Sequence, residues 1–168
     1  MFLGAMRQAS IAHHTKDQLR TVMTQKKPPT VAGFVDHLAE YKRVHSVVAK
    51  PCDFYLEDIE RDLCALYDPE MPYFYGTTGY PEYLKTLPTH LQGAHWYVVS
   101  CAHASGGTVI ADSLGVSSYF LQKRDITPIK EAFEDYTLNW TDLQKQECVG
   151  EVSKVFEYAT RVNNLIYE

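Results

Sequence analysis

Two adjacent histidines, His13 and His14, stand near the start of the chain in the segment MRQASIAHHTKDQ. A neutral imidazole is a common metal ligand. Gln18 follows His14 by four residues, so on a helix the two side chains share a face, and the Gln18 amide oxygen could accept the second ring N–H and orient the ring. His13 points about 100° away around a helix, so both histidines cannot face one metal ion. From residue types alone, a surface histidine remains an open interpretation.

A second segment with chemical potential is HWYVVSCAHASGGTVIADSLG, residues 95–115. Because glycine has no Cβ, Gly106 and Gly107 allow the helix backbone to approach a flat ligand, or equally another helix. The pair should also weaken or bend the helix. His103 can both donate and accept hydrogen bonds. Tyr97 is either part of a polar network around His103 or a core tyrosine, and the sequence leaves both open.

Arginines can bind the carboxylates of a ligand. Arg7 stands two helical turns before His14, and Arg161 lies in the last periodic segment of the chain. For each of them a solvated surface charge is the alternative.

The dominant apolar period is helical, with no β-hairpin signature and no internal repeat. Thr30 can cap one helix, and Thr141 with Gln144 forms a capping box for the last. The segment YDPEMPYFYGTTGYP contains three prolines and two glycines and is predicted to be a loop. The last helix has an apolar stripe of Leu143, Val149, Val152, Val155, Phe156, Ala159, Val162, Leu165 and Ile166. Helices are predicted over 2–25, 31–49, 53–66, 89–112, 127–136 and from 141 onward.

These patterns predict an all-α bundle, in a single domain over residues 1–168. A net charge of −5 does not suggest nucleic-acid binding. No apolar run approaches the roughly 20 residues that span a bilayer, and the first residues resemble neither a signal peptide nor a transit peptide. The four cysteines form no C-x-x-C pair and are interpreted as buried thiols, with a Cys52–Cys64 disulfide as a minor alternative.

Three ordered segments closely resemble plastid-type heme oxygenases of plants and algae. They are MRQASIAHHTKDQ, the AHASGG-containing segment, and NWTDLQKQECVGEVSKVFEYATRVNNLI near the end of the chain. Together the resemblance covers about two thirds of the sequence. A Gly-Gly pair alone would be weak evidence for the family, whereas three segments in the same order are strong evidence. The resemblance implies a trimmed heme oxygenase-like bundle, with heme held between the first helix and a glycine-kinked distal helix.

The resemblance also implies roles for individual residues. His14 would be the proximal iron ligand, supported by Gln18. His103, Gly106 and Gly107 would be catalytic, with His103 holding distal water. The remaining heme-binding residues would be Tyr97, Ser105 and, at the propionates, Arg7 and Arg161.

The implied activity is oxygen-dependent opening of heme to biliverdin, with release of carbon monoxide and ferrous iron. Ferredoxin would supply the electrons, and the protein would be a monomer of the plastid stroma, or otherwise soluble and cytoplasmic. The sequence departs from the family in three places. Glu157 and Ile11 replace lysines found in many members, which predicts a looser grip on the propionates, and the stretch 49–80 is shorter than in typical members.

Two other functions are open. One is a catalytically weak or inactive heme-binding protein on the same fold. The other is a non-heme di-iron oxidase, which would need carboxylate and histidine ligands from several helices, often as Glu-x-x-His. No Glu-x-x-His occurs in the sequence, which disfavours it.

Overall fold

The computed structural model describes residues 1–13, 27–73 and 78–168. Within these ranges all regular secondary structure is helical and no strand is formed, which confirms the predicted all-α fold. A 3₁₀ turn at Leu165–Tyr167 follows the last helix. The helices are α1 (Phe2–His13), α2 (Val31–Val47), α3 (Leu56–Leu66), α4 (Tyr80–Lys85), α5 (Thr89–Leu114), α6 (Thr127–Tyr136) and α7 (Asp142–Asn164).

Local capping signals determine where several helices begin. The Thr30 hydroxyl accepts the Gly33 N–H at 3.0 Å and caps α2. At α7 both bonds of the predicted capping box are formed, between the Thr141 hydroxyl and the Gln144 N–H and between the Gln144 side chain and the Thr141 N–H. These bonds satisfy N–H groups that have no partner within the helix.

Other predictions about the elements were wrong. The segment assigned to a loop contains the start of α4, where Pro81 occupies the first turn, a position at which its missing N–H costs nothing. Leu143 was placed in the apolar stripe of α7, yet it is 65% exposed. Cys52 and Cys64 are exposed free thiols rather than buried ones. The predicted first helix is described only as far as His13.

The two long helices α5 and α7 lie side by side near the centre of the molecule, and α1 packs against α7. The Cys148 thiol donates to the His90 carbonyl at 3.2 Å, and His95 lies 3.3 Å from Glu151. The two helices α5 and α7 therefore run in the same direction. Helix α2 packs against α3, α4 and the 3₁₀ turn. None of the helices in the described ranges is both long enough and apolar enough to cross a membrane. The largest fully buried side chains include Trp96, Tyr41, Phe34, Phe120 and Phe133.

Candidate functional site

A largely apolar cavity of about 330 Å³ lies between the C-terminal half of α5 and α7. Its volume falls at the lower end of the roughly 300–1,000 Å³ of small-molecule sites, which are mostly apolar with a few placed polar groups. Such a cavity suits a ligand that is largely apolar. The described lining from α5 is Val98, Val99, Ala102, His103, Gly106, Gly107, Val109 and Ile110, and from α7 Val155, Phe156, Ala159, Thr160 and Asn163, completed by Tyr41, Ile166 and Tyr167.

The two glycines of α5 both line this cavity but differ in their surroundings. A Cβ at Gly106 would meet no atom within 4 Å, so bare backbone faces open space there. A Cβ at Gly107 would lie 2.9 Å from Leu121 Cδ2 and 3.2 Å from Leu121 Cα. Close packing against Leu121 therefore accounts for Gly107, whereas nothing in the described protein fills the space at Gly106. Helix α5 continues as an α-helix through both residues.

His103 is a buried histidine in the cavity wall. Its ring meets the Tyr41 ring nearly edge-on at 4.5 Å and lies 4.7 Å from the Phe120 ring. Burial lowers the pKa of His103 well below 6.5, and the nearby His37 and His45 lower it further. The ring is therefore neutral at pH 7, with one donor and one acceptor nitrogen. Its Nδ1 has no hydrogen-bond partner among the described residues.

The loop that carries Phe120 and Leu121 is held by a buried carboxylate, a role that sequence reasoning missed. Asp62 of α3 accepts the Ser118 hydroxyl at 2.6 Å and the backbone N–H groups of Tyr119 at 2.8 Å and Phe120 at 3.2 Å. Hydrogen bonds to a charged acceptor are stronger than neutral ones. Asp62 thereby positions the Phe120 ring against His103 and the Leu121 side chain against Gly107.

A second polar group of the cavity, Asn163, was also missed. Its Oδ1 atom is buried and has no partner among the described residues. Asn163 follows Phe156 by seven residues and Ala159 by four, so the helical period places all three on one face of α7. That spacing was the signal in the sequence that could have identified it.

The structure does not bring Tyr97 or Ser105 to the cavity. The Tyr97 ring stacks on the Phe133 ring of α6 at 4.3 Å, with an interplanar angle of 4°. Tyr97 is buried, and this contact favours the core interpretation over membership in a network around His103. Ser105 is exposed on α5 and is not among the lining residues.

The arginines expected at the propionates lie outside the described cavity lining. Arg7 is exposed on α1. Arg161 donates to Glu157 Oε1 at 3.0 Å, and its guanidinium lies 4.5 Å from the centre of the Tyr158 ring. No lysine or arginine occurs among the described lining residues. Glu157, which replaces a lysine found in many heme oxygenases, is thus bonded to Arg161, the arginine expected to bind a heme propionate.

His14 and Gln18 lie outside the described residues, so the predicted iron ligand is not placed by the structure. The residue before it, His13, ends α1. The His13 ring stacks on Phe156 at 5.8 Å, and Phe156 lines the cavity. The end of α1 therefore reaches the cavity wall that α7 forms.

Within the described ranges, no three histidine, cysteine, aspartate or glutamate side chains are grouped so that they could hold a metal ion. In this part of the chain there is thus no ligand cluster of the kind that a di-iron oxidase uses.

The fold and the site define an all-helical protein with an apolar ligand cavity between two long helices. No protein-family model matches the chain. Among curated proteins it is similar to the chloroplastic heme oxygenase 1 of Oryza sativa subsp. japonica, with 25% identity over 203 aligned residues that cover 94% of this chain and 68% of the rice protein. The similarity links the chain to heme oxygenases at a distance.

Proposed function

We propose that this protein is a heme oxygenase, which opens heme to biliverdin with release of carbon monoxide and ferrous iron. The observation that carries the proposal is the meeting of separate segments at one cavity. The AHASGG segment of α5 and the VFEYATRVNN segment of α7 each resemble heme oxygenases, and residues of both line it. His13 is the first residue of HHTKDQ, and its ring stacks on Phe156 of the cavity wall. The segment near the start of the chain therefore also reaches this cavity.

The chemical character of the lining supports a heme as the ligand. Its walls are mostly aliphatic and aromatic, which suits a porphyrin ring, and the open space at Gly106 leaves room above a flat ligand. When bound, heme would supply the iron that activates oxygen.

The protein would supply position and protons. His14, oriented by Gln18, is proposed as the iron ligand. His103, which is neutral and lies in the cavity wall, would hold water next to the bound ligand, and Asn163 of the same wall could accept a hydrogen bond from water there. Ferredoxin as electron donor, a monomeric state and the plastid stroma as compartment rest on the same resemblance.

A heme-binding protein of weak or absent activity is the second candidate. The specific observation in its favour is the lack of a cation in the described lining, together with the bond that holds Arg161 to Glu157. Carboxylates at the mouth of the site would then be bound loosely, and turnover would suffer from poor positioning of the ring.

The experiment that tests the proposal is heme titration followed by turnover. Heme is added and its absorbance followed, and oxygen with reduced ferredoxin is then supplied while biliverdin is measured. We expect His14→Ala to lose the spectrum of the wild-type complex and its turnover, with partial rescue by imidazole. The matched variant His13→Ala should keep both. A wild-type heme complex that forms normally and makes no biliverdin would support the second candidate. Loss of the spectrum and of turnover in His13→Ala but not in His14→Ala would overturn the assignment of His14.

A further inference from the structure

A buried hydrogen-bonded chain joins three helices on the side of α5 that carries His95. The Tyr80 hydroxyl lies 2.6 Å from His95 Nδ1, and His95 Nε2 lies 3.3 Å from Glu151 Oε1. The Tyr83 hydroxyl donates to the same carboxylate oxygen. Because the carboxylate accepts from Nε2–H, Nδ1 has the lone pair that accepts the Tyr80 hydroxyl. Tyr80 is fully buried and His95 is 1% exposed.

Stacked tyrosine rings continue this chain toward the surface. The Tyr158 ring lies nearly parallel to both Tyr80, at 5.1 Å, and Tyr83, at 4.5 Å. Tyr83 and Tyr158 are half-buried. Toward the interior, the Thr78 N–H donates to Glu40 Oε2 at 2.6 Å, and Tyr41, the residue after Glu40, lines the cavity. The stacked rings therefore run from the buried Tyr80 to the half-buried Tyr83 and Tyr158, and the segment just before Tyr80 is bonded to the helix that carries Tyr41 of the cavity wall.

We infer that Tyr80 is a redox-active residue, which gives one electron to an oxidant formed in the cavity while its phenolic proton moves to His95 Nδ1. The O–H bond of Tyr80 breaks, an N–H bond forms on His95, and the oxidant gains one electron. A one-electron reductant in solution, such as ascorbate, returns the electron through Tyr158 and Tyr83, and the proton goes back to the phenolate oxygen. The source of the oxidant, peroxide reacting with heme in the cavity, rests on the proposed function.

The surroundings of Tyr80 favour this coupled step. Oxidation of a phenol makes its proton strongly acidic, so the radical forms readily where a base stands within hydrogen-bond distance. Burial, and after it the neighbouring Tyr41, raises the pKa of Tyr80 well above its ordinary value, so Tyr80 keeps its proton until it is oxidised. Burial lowers the pKa of His95, and the Glu151 carboxylate at its Nε2 acts in the opposite direction by stabilising the imidazolium that the proton transfer forms.

The same geometry favours the radical on Tyr80 over Tyr158, while Tyr83, which donates to Glu151, is distinguished from Tyr80 by the Tyr80→Phe variant. The guanidinium of Arg161 lies over the Tyr158 ring at 4.5 Å. A cation on the ring face disfavours removal of an electron from that ring. Both ring nitrogens of His95 are engaged by Tyr80 and Glu151, so His95 is not a base for the Tyr158 hydroxyl. An unpaired electron is therefore less stable on Tyr158 than on Tyr80, and Tyr158 contributes only the ring contact between Tyr80 and Tyr83.

The test is electron paramagnetic resonance on samples frozen after one-electron oxidation. One arm adds hydrogen peroxide to the heme-loaded protein. The other uses the heme-free protein and a photogenerated ruthenium(III) polypyridyl oxidant, so it does not depend on heme binding. In both arms we expect a tyrosyl signal with one strongly coupled exchangeable proton. Tyr80→Phe should remove that component, and the matched control Tyr136→Phe should keep it.

His95→Gln separates a redox role from a structural one. Glutamine still accepts a hydrogen bond from Tyr80 but cannot take its proton, so the coupled component should be lost while thermal stability measured in parallel reports any structural damage. A wild-type protein without this component in the heme-free arm, or a Tyr80→Phe variant that retains it, overturns the inference. Absence of heme binding with a Tyr80-dependent signal in the heme-free arm would refute the proposed function and leave the inference standing.

Discussion

The rings of His103 and Tyr41 meet edge to face in the wall of the cavity, with centroids 4.5 Å apart and planes at 87°. The contact fixes the orientation of the imidazole without using its nitrogen atoms. A histidine held in this way keeps its polar atoms for water or a ligand. The packing and the chemistry of His103 can therefore be tested separately.

We predict that His103→Phe lowers the rate of biliverdin formation by about 100-fold or more, as expected for loss of a group that handles protons. Phenylalanine keeps the aromatic contacts with Tyr41 and Phe120 but has no donor or acceptor. His103→Gln retains both functions and should lose less. The measurement is single-turnover absorbance of the heme complex, with thermal unfolding as a check on folding. Equal rates for wild type and His103→Phe would show that His103 only packs.

Substitutions at the two glycines should have opposite effects on stability. Gly106→Ala should stabilise the helix by roughly 0.5–1 kcal/mol, because alanine has less conformational freedom to lose and meets open space. Gly107→Ala should destabilise by about 1–3 kcal/mol, because its Cβ would contact the backbone of Leu121 too closely. Urea unfolding measures both.

Gly106→Leu extends this comparison to the ligand. Its side chain would enter the cavity, so we expect weaker heme binding or loss of turnover with helix content retained. Normal biliverdin yield from Gly106→Leu would argue against a ligand at this face of α5.

Stability should fall as the pH is lowered from about 6.5 to about 4. Burial lowers the pKa of both His37 and His45 from 6.5 to about 4. Between these values the unfolded chain binds protons that the folded protein does not, so acid favours unfolding by an amount on the order of a few kcal/mol. His45→Phe should show a shallower loss over this pH range and similar stability at pH 8. Parallel profiles for the two proteins would contradict the burial of a neutral His45.

Replacing Glu157 should release Arg161 for a ligand carboxylate. In Glu157→Lys the guanidinium loses its 3.0 Å partner, and we expect heme to bind about two- to fivefold more tightly, in keeping with the small energies of exposed ion pairs. Glu147→Lys makes the same change of charge elsewhere on α7 and is the control. Heme dimethyl ester, which has no free carboxylates, should bind both variants alike. A similar gain for the ester would trace the effect to something other than propionate binding.

Much of the fold was predictable because its signals are local. The capping residues Thr30 and Thr141 act within one turn of their helices, and the apolar period marked α5, α6 and α7 close to their observed bounds. Helix α4 was missed because prolines and glycines were interpreted as loop signals, although Pro81 fits a first helical turn.

The sequence by itself determined the helical architecture, the candidate residues His14, His103 and Gly106, and the resemblance that connects them. Only the tertiary structure decided which residues share the cavity, since a periodic pattern marks the face of a helix but not what lies against it. It separated Gly106 from Gly107 through the position of Leu121, and it placed Tyr97 on Phe133. The Ser118 hydroxyl donates to Asp62, and the two residues are 56 positions apart. Such a partner is chosen by the packing of whole helices, which no local pattern contains.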